Sequence, residues 1–269
     1  DTGPLLGDEL EHEGGDRVRS SMYLHPLIAT LPDSERALLV QSTELRNYRR
    51  NDVVLAVDET SEHVYCVATG LLRVVVHGSG GDSEGVTTDF VSKDDFFFSP
   101  SLKEDSYVAQ STLIAALPSS VYLIPIQVLR RLCTLFPQVA VGLLESAVKR
   151  VSMVHSQLRR ISSLSPVELV GRVLHELTHL APAGPGGYDK RITQAVIASY
   201  AGLSREGVNK AMRELENRGL VRRDDEGVHV PPEFASTDFG ALELEGDSED
   251  ASDTKLQNSS DRHRSRRGS

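Results

Sequence analysis

Residues 192–221 read ITQAVIASYAGLSREGVNKAMRELENRGLV. A Thr or Ser hydroxyl accepts an orphan N–H from the first turn of a helix, so Thr193 and Ser204 each mark a helix start. The spacing predicts one helix over Gln194–Ala201 and a second from 205 to about 218. Gly202 falls between them, where a tight turn is needed, and Gly219 stops the second. Leu220-Val221-Arg222-Arg223, then Asp224-Asp225-Glu226-Gly227, then Val228-His229-Val230 read as a hairpin with a tight turn. Helix, Gly turn, helix and hairpin make a winged helix-turn-helix. Ile197, Ala201, Leu203, Val208, Met212, Leu215 and Leu220 are its expected core.

The second helix places Arg205, Glu206, Asn209, Lys210 and Arg213 on polar faces. Residues 204–223 carry six bases and three acids, inside a chain of net charge −10. That overall sign argues against indiscriminate coating of DNA or anionic lipid, but leaves room for a local reading surface. An Arg can hold guanine bidentately and a Glu can accept from the cytosine amino group. A recognition helix enters the major groove by its N-terminal end. The plainer alternative is a solvated amphipathic helix. The helix-turn-helix spacing favours the DNA reading.

Upstream, residues 163–180 restart a helix at Ser165-Pro166, with Glu168 near the capping-box position. This helix carries His175-Glu176-Leu177-Thr178-His179, a match to H-E-x-x-H, in which two imidazoles hold zinc and the Glu is a general base. A zinc hydrolase also needs a third ligand and an open cleft, and no G-x-x-H continuation follows. The match is therefore read as coincidence, with a structural or adventitious metal site as the alternative and a hydrolase as the remote one. From 126 to 161 the pattern is helical. Leu144, Val148, Val151, His155 and Leu158 follow a 4, 3, 4, 3 spacing, the seam of a coiled coil. Ala147, Val151, Val154, Leu158 and Ile161 form a second stripe, so this helix is expected to pack on its own domain and on a partner copy. An ordinary buried helix is the alternative.

Residues 52–126 are β-rich short runs broken by Gly70 and by the cluster at 78–82, which suggests a jelly-roll barrel. Residues 24–46 look helical after Pro32-Asp33, ending near Leu45. Residues 1–20 and 235–269 are acidic and poor in apolar side chains, and read as disordered arms. The second ends with Arg262, Arg264, Arg266 and Arg267, a solvated tail or a weak phosphate-contacting appendage. The fold class is thus α+β: a roll over 21–126, a dimerisation helix over 127–162 and a winged helix-turn-helix over 163–234.

The stretch 192–221 resembles the DNA-binding motif of the cyclic-AMP receptor protein/FNR family, and the upstream order of roll, long helix and short helix fits as well. The resemblance spans about 22–232, strong in the winged helix and weak in the roll. It implies a homodimer on double-stranded DNA with an inverted-repeat operator, and RNA polymerase as a further partner. By resemblance, Arg205 and Glu206 fall on the family's base-reading pair and Lys210 on a second guanine-reading Arg. Ser204 falls on a phosphate-contacting Ser, with Thr193, Gln194, Asn209 and Arg213 as secondary contacts. Gly207 replaces a phosphate-contacting Thr. Retention of Arg-Glu implies TGTGA-like half-sites, and Lys for Arg loses the guanidinium fork at one position.

Cyclic-nucleotide-binding members carry a phosphate cassette of Gly, Glu and Arg. Here Phe98, Ser99 and Gln110 stand at those positions, followed by Ser111 and Thr112. Residues 94–129 contain neither Arg nor Gly. Burying a phosphate without its cation is costly, so tight cyclic-AMP binding is not expected. Val154 and His155 stand where the family contacts adenine. Phe90, Phe96, Phe97, Phe98 and Tyr107 are read as core filling, with an apolar-ligand pocket as the alternative. His77 is read as an exposed side chain flanking a turn. Two cysteines exclude a disulfide framework and a four-Cys iron–sulfur site. No cofactor, metal or catalytic residue is expected, and the effector stays unknown. No run of 18 apolar residues occurs, so no membrane segment is expected, and two free thiols point to a reducing cytoplasm.

Overall fold

The computed structural model describes residues 22–23, 25–77, 85–98 and 101–230. Both acidic arms, the 78–82 cluster and Ser99 lie outside the described residues. Helix α1 (Asp33–Ser42) is followed by ten strands. These are β1 (Glu44–Tyr48), β2 (Val53–Leu55), β3 (Thr60–Ser61), β4 (His63–Thr69), β5 (Leu72–Val76), β6 (Val86–Val91), β7 (Phe96–Phe97), β8 (Tyr107–Val108), β9 (Thr112–Ala115) and β10 (Ser119–Pro125). They form two four-stranded sheets, ordered β1-β10-β4-β7 and β2-β9-β5-β6, with β3 and β8 as a separate pair. The expected helix through Leu45 stops earlier. Leu45 lies in β1, opposite Tyr122 of β10. A sheet edge that needs a partner overrides the helical spacing there.

Strand side chains alternate between faces, and β4 and β10 use both. Tyr65, Val67, Val121 and Leu123 face the core between the two sheets, with Leu55, Leu72 and Leu113. Val64, Cys66, Ala68, Tyr122 and Ile124 face outward onto Leu39, Ile126, Leu129 and Leu132. Both faces are covered, so β4 reads as a continuous apolar run.

The helical stretch after the roll is two helices, α2 (Ile126–Leu135) and α3 (Pro137–Ser163), which meet at 117°. Pro137 opens α3, and a Pro disfavours helical geometry at the residue before it. Phe136 has φ −131° and ψ 83°. Helix α4 (Pro166–Leu180) follows, its capping box made by Ser165 and Glu168. A cap of this kind contributes about 1 kcal/mol. Then come β11 (Gly187–Tyr188), α5 (Gln194–Ala201), α6 (Arg205–Asn217), β12 (Arg222–Arg223) and β13 (Val228–His229). The sheet order is β11-β13-β12. Residues 182–186 lead into a third strand of the wing.

The fold class stands as expected: a roll, a long helix and a winged helix-turn-helix. Among the described residues no single helix is long and apolar enough to cross a membrane.

Candidate nucleic-acid interface

Thr193 Oγ1 accepts the Val196 N–H at 3.4 Å and Ser204 Oγ accepts the Gly207 N–H at 3.0 Å. Two caps thus fix where α5 and α6 begin. Gly202 joins them at φ 67° and ψ 30°, a left-handed conformation that costs an L side chain about 1–2 kcal/mol. Val208, Ala211, Met212 and Leu215 bury one face of α6 against α4 and α5. The opposite face is left to solvent. Arg205, Glu206, Lys210 and Arg213 are all exposed, and Asn209 is half-buried. The first two sit at the N-terminal end, where the helix dipole favours a phosphate. The Ser204 hydroxyl uses a lone pair for its cap and keeps its proton to donate. Thr193 is exposed and Gln194 half-buried at the start of α5. Gly207 carries no side chain, and a Cβ there would meet Ser204 Oγ at 3.2 Å.

The α3 stripe faces outward. Leu144, Val148, Val151 and Leu158 are 63, 57, 53 and 62% exposed, and His155 is exposed beside them. The second stripe does not pack on the chain's own domain: Val154 and Ile161 are also exposed. That inner face is made instead by Val139, Gly142, Leu143 and the buried Gln157, with Arg150 and Arg160. Sequence periodicity misses this face because three of its members are polar.

Those polar members tie three units together. Arg150 forms an ion pair with the buried Asp89 of β6. It donates to the Phe96 carbonyl at 2.8 Å and lies 5.5 Å over the Phe97 ring. Burial pushes the Asp89 carboxyl up, and the Arg150 charge pulls it back down. Gln157 Nε2 donates to the Tyr200 carbonyl at 3.0 Å. Arg160 donates to Glu176 at 2.8 Å, and the Tyr200 hydroxyl donates to the same carboxylate at 3.0 Å. The Tyr200 ring meets Phe90 of β6 edge-on at 4.8 Å. Ser199 of α5 donates to the Gly85 carbonyl at 3.1 Å and accepts the Thr87 N–H at 2.8 Å. The helix-turn-helix is thus docked on the roll as well as on α4.

Glu176 is therefore committed to Arg160 and Tyr200. His179 is exposed, and its ring packs edge-on to that of the half-buried His175 at 5.0 Å. Burial, the His179 ring and two nearby arginines push His175 down. Among the described residues no group of three His, Cys, Asp or Glu side chains is gathered for a metal.

The described members of the substituted cassette do not assemble into one lining. Phe98 stacks on Phe96 at 6.0 Å in the core under the helices. Gln110 is exposed and Ser111 half-buried. The Thr112 hydroxyl accepts the Val57 N–H at 3.2 Å and lies 3.3 Å from His77 Nε2, His77 itself being exposed. The five aromatics form no common pocket. Phe90 joins the winged-helix core, Phe96 and Phe98 the helix-side core, and Phe97 the inter-sheet core, while Tyr107 borders the last two. The nearest downstream cation, Arg130, is held by the Leu102 and Glu104 carbonyls and by Asp105, at 2.7, 2.9 and 2.8 Å. The cation between roll and long helix is Arg150, which arrives with its own carboxylate.

A β-roll joined by a long helix to a winged helix-turn-helix, with the recognition helix open to solvent, defines a DNA-binding transcription regulator. The chain matches the Crp-like helix-turn-helix domain over residues 170–232 and the cyclic nucleotide-binding domain over 45–135. It belongs to the Crp/Fnr family. The cAMP-activated global transcriptional regulator CRP of Pasteurella multocida is 24% identical over 182 residues, covering 66% of this chain and 85% of that protein. Its Salmonella typhimurium counterpart is 21% identical over 182 residues, 66% of this chain and 84% of that one. Among solved structures, FixK2 from Bradyrhizobium japonicum superposes with a TM-score of 0.62 at 21% identity, covering 70% of this chain and 92% of that one. The c-di-GMP responsive global regulator CLP of Xanthomonas campestris gives 0.61 at 17% identity, covering 74 and 99%.

Proposed function

We propose that this regulator reads an inverted-repeat operator with TGTGA-like half-sites as a homodimer, and does so without cyclic AMP. The carrying observation is the capped N-terminus of α6, which presents Arg205 and Glu206 to solvent with Lys210 one turn on. Ser204, Thr193, Gln194, Asn209 and Arg213 are assigned to phosphate and secondary contacts. The exposed stripe Leu144, Val148, Val151, His155 and Leu158 is assigned to the dimer seam. The Asp89–Arg150 ion pair supports effector independence, because the cation between roll and α3 is already neutralised. Glu176, the base that the H-E-x-x-H match would need, is held by Arg160 and Tyr200, which weighs against a hydrolase. RNA polymerase is the further partner this reading expects.

The test is a selection from random duplexes by the ligand-free protein, read by sequencing the bound pool. Enrichment of an inverted repeat with fixed G·C pairs in each half-site is the expected outcome. On that operator Arg205→Ala is expected to cost about 1–3 kcal/mol and to relax one base position. Equal losses on operator and random DNA would remove the base-reading role. Enrichment only after cyclic AMP is added would overturn effector independence.

A further inference from the structure

The outward face of α3 keeps a seven-residue repeat. Val141, Val148 and His155 occupy its first position and Leu144, Val151 and Leu158 its fourth, and all of them are exposed. Leu143, Arg150 and Gln157, at the third position, are turned inward and none is exposed. The helix thus gives one side to its own chain and holds the other outward over the length of the repeat. Val at the first position, with Leu recurring at the fourth, is the pattern of a parallel two-stranded coil. In such a coil equal first positions meet across the twofold axis, so a second copy brings its own His155 against this one.

His155 is the polar exception on this face. A single polar residue at a first position fixes register and strand number at a cost in stability. His155 is exposed, so the groups that face it are those of its own helix and of the second copy. Val151, Val154 and Leu158 surround the layer and are apolar. The charged side chains flanking it on α3 are Lys149 and Arg159, both exposed and both cations. Glu145 is the acid of α3 and lies ten residues back, about 15 Å along the axis. Among the described residues, the acids paired to α3 from other elements are Asp89 of β6 and Glu176 of α4. Arg150 and Arg160 hold them on the inward side.

We infer that the two His155 rings tolerate pairing only as neutral imidazoles, so that acidification separates the copies and with them the two reading heads. This regulation rests on the homodimer proposed above. A protonated pair would set two like charges in an apolar layer, between further cations and with no carboxylate to answer them. Pairing favours the neutral ring, so the dimer is complete above the ordinary His range and weakens as pH falls through it. A free imidazole of pKa about 6.5 is about nine-tenths protonated near pH 5.5 and about one-tenth near pH 7.5. Each ring that must release its proton weakens the dimer about tenfold over that interval, and two rings about 100-fold.

The test is sedimentation of the full chain over a dilution series at both pH values. It compares the native protein with H155V, H155N and H155K, and circular dichroism checks that α3 still forms. The native dimer is expected to weaken about 100-fold on acidification. H155V, with an apolar layer, is expected to form a tighter dimer at the higher pH. H155V and H155N, which carry no proton to lose, are expected to remove the acid weakening. H155K, charged at both values, is expected to be as weak at the higher pH as the native chain is at the lower. A native dimer of equal strength at both values overturns the inference and leaves the homodimer standing. So does a weakening that survives undiminished in H155V and H155N, or an H155K dimer as strong as the native one at the higher pH. A native chain that is monomeric at both values removes the homodimer itself, and the inference with it.

Discussion

Shortening Val151 tests whether the outer stripe of α3 is a seam. Val151 is 53% exposed, so about half of its side chain is left for a partner to cover. Val151→Ala removes two carbons, each worth about 0.8 kcal/mol when fully buried. Half of that sum is about 0.8 kcal/mol per copy, and two copies meeting across a twofold axis lose about 1.6 kcal/mol. The dimer dissociation constant should rise about 15-fold. Val151→Asp puts a carboxylate at the same place in both copies, where desolvation adds several kcal/mol and should yield monomers. Sedimentation over a dilution series reads both variants, and circular dichroism checks that α3 still forms. A native chain that sediments as a monomer throughout, or an aspartate variant that stays dimeric, refutes the seam.

Tyr200→Phe deletes a hydrogen bond to a charged acceptor but leaves Arg160 on Glu176, so urea unfolding should show a loss of about 1.5 kcal/mol. An unchanged midpoint would show that the Tyr200–Glu176 contact contributes nothing to the docking. Asp224 accepts from His229 at 2.9 Å and from the Gly227 and Glu226 amides, which hold its carboxyl well below the usual range. A depressed pKa means that the contribution is complete above the ordinary Asp value of about 3.9 and is lost as pH falls through the native one. The Val228 and His229 amide signals should therefore broaden in acid, and Asp224→Asn should remove that pH dependence. Identical acid titrations of native chain and variant would refute this. Dialysis against EDTA should leave melting temperature and DNA binding unchanged, and a reproducible fall in either would restore a metal role for His175 and His179.

The winged helix was legible because its signals are local. Thr193, Ser204, Gly202 and Gly219 act within a few residues of themselves, and the core positions follow one helical period. The stripe from Leu144 to Leu158 follows one helical period too, and it stands exposed. What periodicity could not show was long-range and polar. Arg150, Gln157 and Arg160 look like the solvated side of an amphipathic helix until β6 and Tyr200 are brought against them. Glu176 reads as part of a zinc signature until Arg160 and the Tyr200 hydroxyl claim both its oxygens. The five aromatics look like one cluster in the sequence, yet strand alternation and the chain's course send them to three cores. Leu45 continues a helical spacing, but it completes a sheet edge that exists only once β10 has arrived. The break at Phe136 was signalled by Pro137 and needed only its effect on the preceding residue to be read.

Strand β6 touches both the long helix and the helix-turn-helix. Within six residues it holds α3 through Asp89 and α5 through Thr87 and Phe90. The side chains proposed above to read bases and to pair copies include none of these. Under the proposed function, changes confined to β6 are therefore expected to alter the angle at which the reading heads are presented while leaving their sequence preference and their pairing intact. Operator spacing and operator sequence become separately adjustable properties of one chain.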